Sequence, residues 1–166
     1  MTLPLPRIEA LAVATLRALL GLGLVAMVLL NVANAAGRYG GLPTLTGADE
    51  LLVYGMIWIV MVGAILATRE RSHLCIDLLS QRLTGCAELA LSLAVGMVTV
   101  AVCGFIAYHS FSFVERIAAI GQTSMGLGIP MVVPHLAITT GFAGMALVET
   151  ILVAVDLRGA LRRSGG

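Results

Sequence analysis

Charge is scarce in this sequence. Only 11% of its 166 residues are Asp, Glu, Lys or Arg, against about 25% in a soluble globular domain, which needs them where it meets water. Lysine is absent: the ten basic residues are all arginine, widely scattered, and nine acidic residues bring the formal net charge to +1. That distribution excludes the concentrated basic face on which nucleic-acid binding depends. Cysteine is sparse as well. Cys75 and Cys86 lie in or beside a connection expected to face the reducing cytoplasm, and Cys103 lies inside an apolar run. No disulfide framework follows, and all three read as small buried apolar residues.

Catalytic signatures are missing too. There is no paired-carboxylate arrangement, HExxH, CxxC, glycine-rich phosphate loop or Ser/His/Asp set. Ionisable residues are also nearly absent from the middle of the long apolar runs, where an intramembrane catalytic or transport site would need them. The chain therefore reads as non-catalytic. Its length fits one domain and leaves no room for a large secondary transporter with inverted repeats. A small multidrug exporter is excluded by the lack of a carboxylate midway along the first run.

What is present is hydrocarbon: 59% of the residues are hydrophobic and the mean hydropathy is +1.02. Four stretches, Ala18 to Ala36, Leu51 to Thr68, Leu89 to Tyr108 and Met131 to Val148, carry no charged residue. Crossing a bilayer as a helix takes about 20 predominantly apolar residues, with every backbone polar group satisfied inside the segment. These stretches predict an all-α integral membrane protein with four transmembrane helices at about 11–36, 50–68, 87–110 and 131–155. They are expected to pack as one compact bundle in a single membrane domain, 1–166.

Orientation follows from the arginines, since short loops rich in basic residues stay in the cytoplasm. Arg7, Arg17, Arg69, Arg71, Arg82, Arg158, Arg162 and Arg163 fall on one side, and only Arg38 and Arg116 on the other. Both termini are thus expected in the cytoplasm. Ala33, Asn34 and Ala35 form a small-residue pattern open to reading as a signal-peptidase site, but the preceding run exceeds the ~7–15 residues of a signal sequence. An uncleaved first span is expected.

The connections carry more detail. After the first span, Gly37, Arg38 and Tyr39 lead into Gly40, Gly41 and Pro43, which end the helix, and Thr46 to Asp49 has the form of a capping box opening the second. Asp49 and Glu50 either cap that helix and suit its positive dipole end, or meet Arg38 or a partner subunit. The second connection has helical periodicity. In residues 72–84, His73, Asp77, Gln81 and Thr84 share one face while Cys75, Ile76, Leu79 and Leu83 share the other, with Ser72 as candidate N-cap. This predicts a short amphipathic interfacial helix against lipid or protein. His73 and Asp77 are four apart and within reach of Arg69 and Arg71, forming either a solvated charge cluster or a docking surface for a membrane subunit. The third connection, Gly121 to Pro130, is glycine-rich and predicts an irregular outer loop feeding a helix in whose first turn Pro134 is tolerated.

Inside the spans, Gly63 with Ala67, Ser92 with Gly96, and Gly104 are candidates for close helix approach, and Trp58 is expected in the core. Arg17 and Glu149 each lie about two turns inside the cytoplasmic boundary, where an unpaired charge is costly, so an ion pair between the first and fourth spans is predicted. His109 and His135 fall at the same membrane face. That leaves a second reading open, a haem-binding four-helix anchor of an electron-transfer complex.

Taken together, the motifs resemble the small integral membrane (DctQ-type) subunit of tripartite ATP-independent periplasmic (TRAP) transporters. The resemblance runs through Asn31, Arg38 and Tyr39, Asp49 and Glu50, Trp58, and Val62, Gly63 and Ala64. It continues through Ala67, Arg69, His73, Asp77 and Leu79 to Leu127, Gly128, Ile129 and Pro130 before the last span. Arg71 stands where the family often has glycine, Thr139 where a proline usually precedes the glycine at Gly141, and Gly40 and Gly41 replace a common Phe-Asn. The resemblance implies a small permease subunit in a bacterial inner membrane, surrounded by lipid. It implies two protein partners, a large sodium-coupled permease subunit and an extracytoplasmic solute-binding protein that delivers an organic anion, often a carboxylate. Substrate and sodium sites would lie in the large subunit. For this chain it implies no cofactor and no metal. It casts Arg38, Tyr39, Asp49 and Glu50 at the outer face, and Arg69, His73 and Asp77 at the inner face, as interface or structural residues.

Overall fold

The computed structural model describes residues 7–41, 44–70 and 86–164. Four helices account for nearly all of them: α1 (Arg7–Gly40), α2 (Ala48–Arg69), α3 (Cys86–Ile120) and α4 (Val132–Ser164). All four are long and apolar enough to cross a membrane. The segment predicted as an interfacial helix, 72–84, lies outside the described residues, and so do His73, Asp77 and Cys75.

Helix length separates α2 from the rest. Its 22 residues span about 33 Å at 1.5 Å per residue, close to the ~30 Å hydrocarbon core. The 34, 35 and 33 residues of α1, α3 and α4 reach about 50 Å. Those three helices therefore tilt or project beyond the hydrocarbon, and their extensions carry charge: Glu9 and Arg17 on α1, Glu115 and Arg116 on α3, Asp156 and Arg158 on α4.

The helices do not close into the compact bundle expected. Among the described residues α4 packs on both α3 and α2, α1 packs on α2 alone, and no other pair of helices is in contact. The order in space is a row, α1–α2–α4–α3. A row buries little: in the most apolar window of α1 nothing is buried, and in α3 and α4 only 11% is. Leu22, Val98, Phe105 and Leu147 are among many large side chains left open. In lipid this carries no penalty of the kind it has in water, because hydrocarbon chains solvate leucine as well as another helix does. Association must then come from close packing and hydrogen bonds.

Small residues supply the close packing. A Cβ added at Gly141 of α4 would lie 2.6 Å from Sδ and 2.7 Å from Cβ of Met61 on α2, and one at Gly144 would lie 2.5 Å from Cδ1 of Ile65. Ala137, one turn earlier on α4, is fully buried. On the other side of α4, Val153 presses onto Gly96 of α3. At the α1–α2 seam, Gly23 faces Ile59 and Gly55 faces Met27. Gly96 thus acts as its sequence context predicts, whereas Gly63 and Gly104 have no neighbouring atom within 4 Å of an added Cβ. Both lie on open arcs of their helices because the row leaves those arcs without a neighbour.

Two further expectations are corrected. Trp58 is not a core residue: it is 37% exposed, again because α2 has neighbours on two sides only. The capping box at Thr46 does not form. The N-cap of α2 is Gly47, in the left-handed conformation at φ 81°, with no side-chain cap. Glycine is needed there twice over, for its positive φ and because an added Cβ would lie 2.6 Å from Cγ of Leu127. Cys103 is buried, as expected, and Pro134 sits in the first turn of α4.

Candidate functional site

The polar groups gather at the two ends of the row. At the end that carries the α3–α4 loop, the first turn of α2 places Asp49 and Glu50 about 100° apart around the helix, and they reach in different directions. Asp49 Oδ2 takes Arg38 Nη2 at 3.3 Å, tying α2 back to the end of α1. Close by, the buried Asn34 accepts the Leu45 N–H at 3.2 Å through Oδ1, holding the α1–α2 connection against α1. Tyr39, at the last turn of α1, is 90% exposed.

Glu50 points the other way, into the α3–α4 loop. Its Oε1 accepts the Gly126 N–H at 2.8 Å and its Oε2 the Leu127 N–H at 2.9 Å, with the Ser124 hydroxyl as a further donor. The loop has its own frame. Ser124 N–H donates to Ile129 O at 2.8 Å, Ile129 N–H donates to Ser124 Oγ at 3.1 Å, and Met131 N–H donates to Gln122 O at 2.9 Å. Gly121 and Gly128 take positive φ to turn it. Gly126 is packed so tightly that an added Cβ would meet the Glu50 carboxylate and Gly47 Cα at 3.1 Å. Met125 is left fully exposed at the tip. One carboxylate thus fixes the loop joining α3 and α4 to the start of α2, and Asp49 beside it fixes α1.

At the opposite end the pairing differs from expectation. Arg17 pairs with Glu70, not with Glu149, and Arg69 Nη2 lies 3.1 Å from Glu9 Oε2. The row explains this: α1 does not pack on α4, so Glu149 is out of reach. The contacts of Gly23 with Ile59 and Met27 with Gly55 share one antiparallel register, in which Arg17 is level with Ile65. Its guanidinium runs toward the helix end to meet Glu70, as long cationic side chains do near a membrane boundary. Glu149 turns instead toward α3, where its Oε1 would be 3.1 Å from a Cβ at Gly96. Asp156 accepts from the Ser92 hydroxyl at 3.4 Å.

Between the rims polar contacts are few. Ser110 and Thr139 share a hydrogen bond of 2.7 Å between α3 and α4, and the Tyr54 hydroxyl donates to Met131 Sδ at 3.2 Å. The two histidines proposed as haem ligands are engaged by aromatic rings: His109 lies 4.3 Å from Phe105 on its own helix and His135 lies 4.9 Å from Phe113, centroid to centroid. Nothing in this arrangement favours the haem reading.

Of the residues singled out from sequence, the structure brings together Arg38 with Asp49, and sets Glu50 of α2 against the α3–α4 loop and Arg69 at the opposite end of the row. Asn31 is exposed on α1. Asn34, Glu9, Glu70, and the Ser110–Thr139 pair were not anticipated. Asn34 had a legible signal, a polar side chain three residues after Asn31 near the end of an apolar run; Glu9 and Glu70 needed the helix register.

The family model described as "Tripartite ATP-independent periplasmic transporters, DctQ component" matches residues 9–159, nearly all of the described chain. No curated protein is similar enough to count as a match. With four membrane-crossing helices and a family match through all of them, the chain belongs to the DctQ family, the small membrane components of TRAP transporters.

Proposed function

We propose that this chain is a non-catalytic scaffold: it braces the large permease subunit in the bilayer while that subunit carries the solute. The observation that supports this most is the division of labour within the chain. Among the described residues, Glu9, Arg17, Arg38, Asp49, Glu50, Arg69 and Glu70 stand toward the ends of the row and bond to other helices and loops of the chain itself, while the spans between offer mostly apolar side chains to their surroundings. An open row of helices with broad unburied flanks suits a subunit completed by another membrane protein.

In this reading the large subunit couples uptake to sodium, and an extracytoplasmic binding protein delivers the organic anion, a carboxylate by family precedent. The protein is multi-pass in the bacterial inner membrane. The excess of arginine on the side of the spans that holds both termini supports a cytoplasmic location for them. Arg38, Tyr39, Asp49 and Glu50 stand at the outer face and Arg69, His73 and Asp77 at the inner face as interface or structural residues, and none touches solute.

The test is to co-express the chain with its large subunit and measure both the abundance of the purified pair and solute affinity. Asp77→Ala and Arg69→Ala are expected to lower pair abundance while leaving the affinity of the remaining complex unchanged. A change in solute affinity at unchanged abundance would refute the scaffold role.

A further inference from the structure

Contacts between neighbouring helices fix their register and so the height of each apolar run. Across α1 and α2, Gly23 meets Ile59 and Met27 meets Gly55; across α2 and α4, Met61 meets Gly141 and Ile65 meets Gly144. Ser92 with Asp156 and Ser110 with Thr139 align α3 with α4. In this register the charge-free runs of α2 (51–68) and α4 (131–148) share one midpoint, level with His109 of α3. The charge-free run of α3 (89–108) centres about ten residues nearer the N-terminus of that helix, a shift of about 16 Å along its axis. The run of α1 (18–36) is shifted the opposite way, by about 7 Å. From α1 to α3 the runs therefore step by about 23 Å across three interaxial spacings of about 8–10 Å each.

A flat bilayer meets all four runs only if the row leans. With the helices upright, the ~30 Å hydrocarbon layer centred on α2 and α4 would enclose Glu115 and Arg116 of α3, both exposed. A charge costs about 2.5–3.5 kcal/mol at the centre of such a layer and less near its edge. The same placement would leave Leu89, Leu91 and Leu93 in water, more than ~20 Å from the bilayer centre. A lean of about 40° removes both mismatches, at the steep end of the roughly 0–40° found for membrane helices. It also gives α1, α3 and α4, each about 50 Å long, a depth of about 40 Å, that of the bilayer with its headgroups. Two tyrosines agree with it. Tyr39 of α1 and Tyr108 of α3, 90% and 70% exposed, belong to opposite flanks of the row. Leaning brings both to about 11–14 Å from the bilayer centre on one side, near the boundary where tyrosine is favoured, whereas upright helices would hold them at about 25 Å and about 2 Å.

We propose that the row lies obliquely in the bilayer, its helices inclined by about 40° within the plane of the row, so that the surface it offers to lipid is a slanted band and not a level one. The helix ends on either side of residues 71–85 are Arg69 of α2 and Cys86 of α3. They then come to one depth, about 11–14 Å from the centre on the side opposite the tyrosines, where upright helices would set them about 20 Å apart in depth. Glu115 and Arg116 stand clear of the hydrocarbon. The inclination rests neither on the scaffold reading nor on which face is cytoplasmic.

The test reads depth by tryptophan quenching. The full-length chain is reconstituted into dioleoylphosphatidylcholine vesicles containing lipid brominated either near the headgroup or near the end of the acyl chain. Trp58, the single tryptophan, lies about 2 Å from the centre and is the reference for deep quenching. Trp58→Phe is then combined with Met97→Trp or with Phe111→Trp, at two exposed positions of α3. In the oblique row the first lies about 2 Å and the second about 14 Å from the centre; upright, they would lie at about 18 Å and about 3 Å. The Met97→Trp chain is therefore expected to be quenched most by the deep bromines and the Phe111→Trp chain most by the shallow ones. The reverse order, or deep quenching of both, would overturn the proposal. Hydrogen exchange of the unsubstituted chain in nanodiscs gives a second reading that no variant can confound. Amides of residues 89–97 should exchange more slowly than those of 113–120, and equal or opposite rates would overturn the inclination.

Discussion

The seam between α2 and α4 joins the two halves of the row, and Gly141→Ala is the perturbation that tests it. The added methyl would lie 2.7 Å from Met61 Cβ, where carbon atoms at rest are about 3.5–4.0 Å apart. The Met61 sulfur, at 2.6 Å, can swing aside, but Cβ moves only with its helix, so α2 and α4 must part by roughly 1 Å. Forcing a methyl into a packed seam typically costs about 1–3 kcal/mol. Gly104→Ala is the matched control, since nothing lies within 4 Å of its added Cβ, and the change in helix propensity common to both substitutions cancels in the comparison. Equilibrium unfolding in mixed micelles, followed by circular dichroism and by the fluorescence of Trp58, the single tryptophan, gives both stabilities. Gly141→Ala should be less stable than Gly104→Ala by about 1–3 kcal/mol. If the two agree within about 0.5 kcal/mol, below the low end of that range, the glycine seam is not what holds the halves together.

Three other outcomes follow from the same contacts. Glu50→Ala should abolish hydrogen-exchange protection at the Gly126 and Leu127 amides and expose the Met125 loop to proteolysis, while Asp49→Ala should leave those amides protected; exchange mass spectrometry separates the two. Arg17→Glu should weaken the junction of α1 with the end of α2, and adding Glu70→Arg should restore it, whereas adding Glu149→Arg should not; disulfide trapping between cysteines placed on α1 and α2 reads this. A double-mutant cycle on Ser110→Ala and Thr139→Val should return a coupling of about 0.6 kcal/mol, the usual worth of an interhelical hydrogen bond in a membrane, and additivity would show that the bond does not contribute.

Four charge-free runs were enough to read four spans, because a bilayer sets a one-dimensional requirement on length and apolarity. Their order in space was not legible. Gly63, Gly96, Gly104 and Gly141 look alike in sequence, and only the row decides that Gly96 and Gly141 meet a neighbour while Gly63 and Gly104 do not. The Arg17–Glu149 pairing failed for the same reason, since assigning partners presupposes which helices touch. Asp49 with Arg38 was readable because eleven residues and one turn separate them. The bond from Glu50 to Gly126 and Leu127 spans more than seventy residues and uses backbone donors, which leave no mark in a sequence. The failed capping box shows a local pattern losing to a tertiary contact, the packing of Leu127 over Gly47.

The most direct test of the scaffold role is solute uptake into sodium-loaded and sodium-free vesicles containing this chain alone, its large partner alone, or both, with the binding protein supplied outside. The account predicts no uptake by the chain alone, and full sodium-dependent uptake only when both membrane subunits are present. Accumulation of an organic anion by vesicles holding this chain as their sole protein would contradict it.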